Sequence, residues 1–402
     1  MSVARGPVER ITKTRGARVG WNSAELFSTI AKDGETSHQV MAKPAHHTAN
    51  ESWFGPKFFN PWQEAPYFGI WTFVRLFGEL IKSRGRMTTL VNNGRPTGED
   101  IKKAFPVRPV DLSVFSSEQR RGLIQCLWIG HASNLVGIDD GIFLTDPVFS
   151  NRCGPFRFFG SKRFVPPPFT LTDAALPKID FVVISHNHYD HLDQTSIGLL
   201  HSRFGDQLRW YVPLGLKTWF LARGISNVVE LDWWENVVHP TTGLRLTLTP
   251  CQHWSGRRVL DARRSLWGSW LVEGDTSKVW FGGDSGYCPV FKEIGEKHGP
   301  IDLAMIPIGA YQPQWFMRHE HVNPEEAVKI HKDIRSKFSI GMHCCTFQLS
   351  REPLDEPPML LKQAAEIGGL APKAFVTLQH GSVLQIEKEK VVNDPSRLPL
   401  VV

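Results

Sequence analysis

The sequence predicts an α/β protein in which two β-rich halves carry helices on their outer sides. Three observations predict it. Short apolar runs rich in β-branched residues recur from about residue 122 onward, among them 181–184, 209–212 and 228–231, then 303–307, 338–343 and 375–378. Helical spacing near 324–335 and 358–367 alternates with the later runs. Several runs end on a histidine or aspartate, so that chemistry sits where strands stop.

At 402 residues the chain exceeds the usual single domain, and one large domain with extensions is expected. The net charge is +6, and residues 1–120 carry the whole excess, with 17 Lys/Arg against 11 Asp/Glu. Residues 121–402 balance at 29 against 29, which argues against a nuclease with a basic groove and against a nucleic-acid partner. Six scattered cysteines without a C-x-x-C pair read as reduced thiols of an intracellular protein. No run of eighteen apolar residues occurs, which excludes a transmembrane helix on length.

Residues 1–50 are polar and show no sustained period, so a disordered or loosely held basic arm is expected. Arg5, Arg10, Arg15 and Arg18 leave a mitochondrial transit reading open, although a clear apolar face is missing. His46 and His47 have no sequence neighbour to complete a metal site and are not expected to form one. Residues 51–105 form an aromatic and basic extension, in which apolar residues at 70, 73, 74, 77, 80 and 81 have helical spacing. Trp53, Phe54, Phe58, Phe59, Trp62, Trp71, Phe73 and Phe77, with Arg75, Lys82, Arg84 and Arg86, suit either a core-docked helix or one that enters a headgroup layer.

The catalytic domain is expected over 106–390, with 391–402 as a tail. Its first strand is read at 122–129, followed by the turn Gly130-His-Ala-Ser133 and a hairpin, 134–138 with 142–145, around Asp139-Asp-Gly141. The basic, aromatic, proline-rich stretch 156–169 is read as too irregular for a strand and as lining the mouth of the site. A strand at 244–248 leads to His253. A further hairpin, 265–272 with 279–281, leads to Asp284.

The buried run 181–184 delivers Ser185-His-Asn-His-Tyr-Asp-His191, which sets His186, His188, Asp190 and His191 within six residues. Neutral imidazole nitrogen and carboxylate oxygen are ligands that a borderline cation such as zinc accepts. His253, Asp284 and His343 each follow an apolar strand in the same way. The seven residues offer five imidazoles and two carboxylates, enough for two metals if one carboxylate bridges. Asp284 is the bridging candidate, because its glycine-rich turn permits close approach. With no cysteine among the ligands, five imidazoles favour zinc over magnesium or calcium.

These segments resemble the metallo-β-lactamase superfamily: Gly130-His-Ala-Ser133, Thr145-Asp-Pro147, His186 to His191, His253, Gly283-Asp284 and His343. A narrower likeness rests on Val212-Pro-Leu-Gly-Leu216, Glu230-Leu-Asp-Trp-Trp234, Leu266-Trp-Gly-Ser-Trp270, Gly286-Tyr-Cys-Pro289 and Ile306-Pro-Ile-Gly-Ala-Tyr311. They resemble the N-acylphosphatidylethanolamine-hydrolysing phospholipase D family, with Cys344-Cys345 as a departure after the last ligand.

The resemblance implies an αββα sandwich of two mixed β-sheets flanked by helices. It implies a first zinc on His186, His188 and His253, a second on Asp190, His191 and His343, and Asp284 between them. The implied products are phosphatidic acid and an N-acylethanolamine. His321 and His380 are the candidates for contact with the phosphodiester, and Asp284 and His321 for catalysis. The expected partner is a membrane phospholipid met by peripheral contact at the cytoplasmic face, with a homodimer as the candidate assembly. The alternatives are another hydrolase of this fold acting on a soluble ester, lactone or nucleotide, and a non-catalytic lipid-binding relative.

Overall fold

The computed structural model describes residues 45–47, 57–62, 97–115, 122–156, 158–258, 260–387 and 390–393. Of the arm read over residues 1–50 only 45–47 are among these residues, and the helix read over 67–81 lies outside them.

A capped helix α1 (Gly98–Ala104) precedes β1 (Leu123–Gly130), β2 (Ser133–Ile138) and β3 (Gly141–Thr145), which form the expected antiparallel meander. Asp139 takes a left-handed conformation in the β2–β3 turn, where a short polar side chain is tolerated. Next come β4 (Arg152–Phe156), β5 (Phe159–Lys162), β6 (Phe181–Val183), helix α2 (Gln194–Phe204), β7 (Arg209–Pro213), α3 (Lys217–Leu221) and β8 (Val228–Leu231). Strands β3, β6, β7 and β8 pair in parallel. The second half holds β9 (Asn236–Val238), β10 (Arg245–Thr249), β11 (Ser269–Glu273), β12 (Lys278–Phe281), α4 (Val290–His298) and β13 (Ile301–Pro307). It continues through α5 (Gln314–Met317), α6 (Pro324–Asp333), β14 (Ser336–Met342), α7 (Glu356–Ile367) and β15 (Phe375–Thr377). The chain then returns to the first sheet with β16 (Val383–Glu387) and β17 (Lys390–Asn393).

The eight-stranded sheet runs β17-β16-β1-β2-β3-β6-β7-β8 and the seven-stranded sheet β15-β14-β13-β12-β11-β10-β9, both mixed. Alternation along β1 shows how they pack. Cys126 and Trp128 face the core shared with Leu246, Leu248 and Trp270 of the second sheet, whereas Leu127 and Ile129 face Ile197 and Leu200 of α2. Residues buried on both faces make β1, β2 and β3 near-continuous apolar runs. Outside the second sheet, Phe291 and Ile294 of α4 and Ala327 and Ile330 of α6 complete the αββα order. Each fully buried Leu or Phe in this sandwich contributes roughly 1.5–3 kcal/mol.

One expectation is corrected. Part of the stretch read as too irregular for a strand, Phe159–Lys162, pairs with Arg152–Phe156 as a separate two-stranded sheet. Glycine makes the pairing possible: a Cβ at Gly154 would lie 2.1 Å from the Phe159 carbonyl oxygen, and one at Gly160 1.9 Å from that of Cys153. Partners this close, around a register shift, leave no alternating period to read.

Candidate metal centre

The ends of β6, β10, β12 and β14 bring the predicted ligands to one rim between the sheets. After β6, the Ser185 amide donates to Asp146 Oδ1 at 2.8 Å and its hydroxyl to Asp146 Oδ2 at 2.5 Å, which ties the ligand loop to the end of β3. The loop closes on itself through the His191 and Leu192 amides, both donating to the His188 carbonyl. Asp193 then caps α2. Beyond β12 the chain turns at Gly283, where φ is +58° and a Cβ would meet that of Ser185 at 2.6 Å. Only glycine lets Asp284 come so close to the opposite loop. His343 and Cys345 also have left-handed φ, of 60° and 57°. Backbone strain of about 1–3 kcal/mol at such residues persists where the surroundings over-determine the conformation.

Within this rim, Asp284 lies between two groups. Its Oδ2 is 3.0 Å from Nε2 of both His191 and His343, and 3.8 Å from Nε2 of both His186 and His253. His186, His188 and His253 form one ligand group, and Asp190, His191 and His343, joined by His131, form another. In the first group His188 Nδ1 lies 2.8 Å from His186 Nε2 and 3.2 Å from His253 Nε2. In the second, Nε2 of His191 and of His343 are 3.2 Å apart.

The far ring nitrogens of three of the five histidines are held by the protein. His186 Nδ1 donates to the Ser185 hydroxyl at 2.9 Å, His191 Nδ1 to Asp146 at 2.6 Å and His253 Nδ1 to the Glu320 carbonyl at 2.9 Å. With those protons placed, the Nε2 lone pairs face inward. Asp284 Oδ1 is buried without a hydrogen-bond partner among the described residues. Converging lone pairs and an orphaned carboxylate oxygen suit cations, so the donor set fits divalent metal.

Electrostatics divide the groups in the metal-free protein. Burial, reinforced by the neighbouring imidazoles, holds His186 well below its ordinary range, and burial likewise lowers His188 to about 4. Burial opposes charge on His191 and His343 too, but carboxylates outweigh it: Asp284, Asp190 and Asp146 hold His191 well above its usual range, and Asp284 with Asp190 raise His343 to about 9. Asp284 is held well below the carboxylate range, its burial outweighed by His191 and His343.

All seven predicted ligands therefore converge. His321 adjoins them: its Nδ1 is 3.9 Å from Asp284 Oδ2, and its ring contacts those of His253 and His343. Burial lowers it to about 4, so it is neutral at physiological pH. His380 lies deeper, with its ring 4.3 Å from that of Trp128 and its Nε2 2.9 Å from the Thr346 hydroxyl.

Sequence reasoning gave no role of its own to Asp146, quoted only within Thr145-Asp-Pro147, or to Glu320. Burial raises the Glu320 carboxyl to about 8 beside His253. His46 and His47 do have a partner, supplied across 186 and 185 positions: their Nε2 atoms lie 2.6 and 2.7 Å from the two oxygens of Asp232.

Comparison with known proteins decides the family. The family model described as a beta-lactamase superfamily domain matches residues 142–344. A protein of Caenorhabditis elegans named N-acyl-phosphatidylethanolamine-hydrolyzing phospholipase D 1 is 37% identical over 358 residues, which cover 87% of this chain and 96% of the relative.

The chain belongs to the N-acylphosphatidylethanolamine-hydrolysing phospholipase D family. Members of this family are metal-dependent hydrolases of the metallo-β-lactamase superfamily, and the chain is one of them. A Saccharomyces cerevisiae relative, named as the mitochondrial N-acyl-phosphatidylethanolamine-hydrolyzing phospholipase D, is 36% identical over 66% of this chain and 57% of its own length. A metallo hydrolase from the archaeon Ignicoccus hospitalis shares the fold, with a TM-score of 0.51 at 22% identity over 66% of this chain and 99% of that one.

Proposed function

We propose that the protein is a phospholipase D-type phosphodiesterase with two zinc ions, hydrolysing N-acylphosphatidylethanolamines to phosphatidic acid and N-acylethanolamines. The observation that carries this reading is the likeness to the Caenorhabditis elegans enzyme over 96% of that protein's length, with the full ligand set present at one rim.

In this reading His186, His188 and His253 would hold one zinc and Asp190, His191 and His343 the other, with Asp284 placed to serve both. The position of Asp284 Oδ2, within 3.8 Å of ring nitrogens from both groups, supports it. When bound, such a pair supplies an activated water and neutralises charge on a phosphoryl oxygen. His321, neutral and beside Asp284, donates a hydrogen bond to the phosphodiester without adding charge. Geometry favours it over His380, whose Nε2 is engaged with Thr346.

A bilayer substrate requires a membrane-facing surface. Among the described residues no helix is long and apolar enough to cross a membrane. The β4–β5 hairpin exposes Phe156 at 73%, Phe158 at 91% and Phe159 at 69%, between the exposed Arg152 and Lys162. At its base Cys153 joins Val148 and Phe347 in a small apolar cluster, against which Tyr189 of the ligand loop packs. Exposed phenylalanine beside cationic groups suits shallow entry into anionic headgroups, so peripheral contact with an intracellular membrane is proposed here. Of the earlier aromatic set, the described residues include Phe58, Phe59 and Trp62; Phe58 is buried and Trp62 stacks on Trp233, which favours a core role for those two.

The test is purified protein with a panel of phospholipids and soluble esters, its products identified by mass spectrometry. Release of N-acylethanolamine and phosphatidic acid is expected. Turnover confined to soluble esters, lactones or nucleotides would overturn the substrate assignment.

A further inference from the structure

The geometry points to His131 as a positioning residue that locks the second metal group, holding Asp190 by its side chain and His343 by its backbone. The inference rests on the two-metal reading above.

His131 is fully buried in the β1–β2 turn. Its Nε2 lies 3.0 Å from Asp190 Oδ2, and its ring is 4.0 Å from that of His343. Its carbonyl accepts from the His343 amide at 3.0 Å and from Trp128 Nε1 at 3.0 Å. Its own amide donates to the Thr346 hydroxyl at 2.7 Å. One residue of the first sheet thus touches a ligand on its own sheet and a ligand delivered by the other.

The turn is built for that reach. His131 has φ of +55°, which a side chain other than glycine rarely adopts. At the preceding Gly130 a Cβ would lie 2.9 Å from the His380 ring and 3.1 Å from the Thr346 hydroxyl. The first group has no such link: among the described residues, the His131 ring reaches Asp190, His191 and His343, all of the second group, and none of His186, His188 and His253. Outer partners that orient a ligand typically contribute about 10–100-fold to metal affinity. His131 therefore acts on one of the two groups.

The experiment compares wild type, His131→Ala and His131→Gln as zinc-loaded protein dialysed against a weak chelator. Zinc per chain is measured by elemental analysis, affinities by competition with a chromophoric chelator, and melting on fully stripped protein. His131→Ala is expected to retain about one zinc where wild type retains about two, with the weaker site loosened about 10–100-fold. His131→Gln, whose amide places an N–H near the position of Nε2, is expected to keep most of the second zinc. Three results overturn the inference. Full retention by His131→Ala means that the contact is idle. Equal loss in both variants means that the ring nitrogen is itself a ligand. Equal loss from both groups with a lowered melting temperature of stripped protein means a general fold defect. The wild-type count tests the two-metal reading separately from the contrast between variants.

Discussion

The two ligand groups are a few ångströms apart and chemically unlike. His186, His188 and His253 are neutral imidazoles lowered by burial, with Asp284 Oδ2 3.8 Å from two of them. His191 and His343 sit 3.0 Å from that same oxygen, with Asp190 beside both and Asp146 behind His191. Metal-free, the first group excludes protons and the second retains them. The difference shows that carboxylates gathered at one group, Asp284 with Asp190 and Asp146, set which half must lose protons before a cation can enter.

The largest expected effect removes what the groups share. Asp284→Asn should lower turnover by orders of magnitude and reduce metal in both groups, since a neutral amide cannot balance two dications. Activity, elemental analysis and circular dichroism in parallel check it, and an active variant would break the assignment of Asp284. Next, Asp146→Asn should weaken the second group about 10–100-fold and the first less, because the carboxylate bonds His191 directly and reaches His186 only through the Ser185 hydroxyl. Chelator competition reads this, and equal weakening of both groups would erase the distinction between them.

The proton difference gives a pH prediction. His343 is raised to about 9 and His191 well above its ordinary range, so a cation entering the second group displaces protons. Its affinity should fall as pH drops below about 9, with proton release on binding. The first group, lowered by burial, should show a flat response from pH 9 down to near neutrality. Calorimetric zinc titration in buffers of different ionisation enthalpy measures both.

How much of this was legible follows the same division. The loop from His186 to His191 could be read at once, because six residues of one loop supply four ligands after one buried strand. His253, Asp284 and His343 were legible only as residues that end strands, each alone on its own loop. Asp146 and His131 went without roles because what matters about them is a contact across 45 and 59 positions, which no local pattern encodes. The pairing of β4 with β5 was hidden for a similar reason, since its glycines permit the contact without creating alternation. His46 and His47 show the limit most plainly: their partner, Asp232, lies near the middle of the chain.

The smallest expected effect leaves the metal groups intact and tests access to them. Phe158→Ser with Phe159→Ser should weaken binding to anionic vesicles by about tenfold or more, from the loss of apolar insertion. Hydrolysis of a short-chain, monomeric analogue should survive. Unchanged vesicle flotation would move the membrane contact away from this hairpin.

Hydrolysis of N-acylphosphatidylethanolamine in heavy-oxygen water tests the central claim most directly. If paired cations at Asp284 direct water to phosphorus, mass spectrometry should find the label in phosphatidic acid and none in the N-acylethanolamine. Label in the N-acylethanolamine hydroxyl, or no turnover by protein carrying its full metal complement, would contradict it.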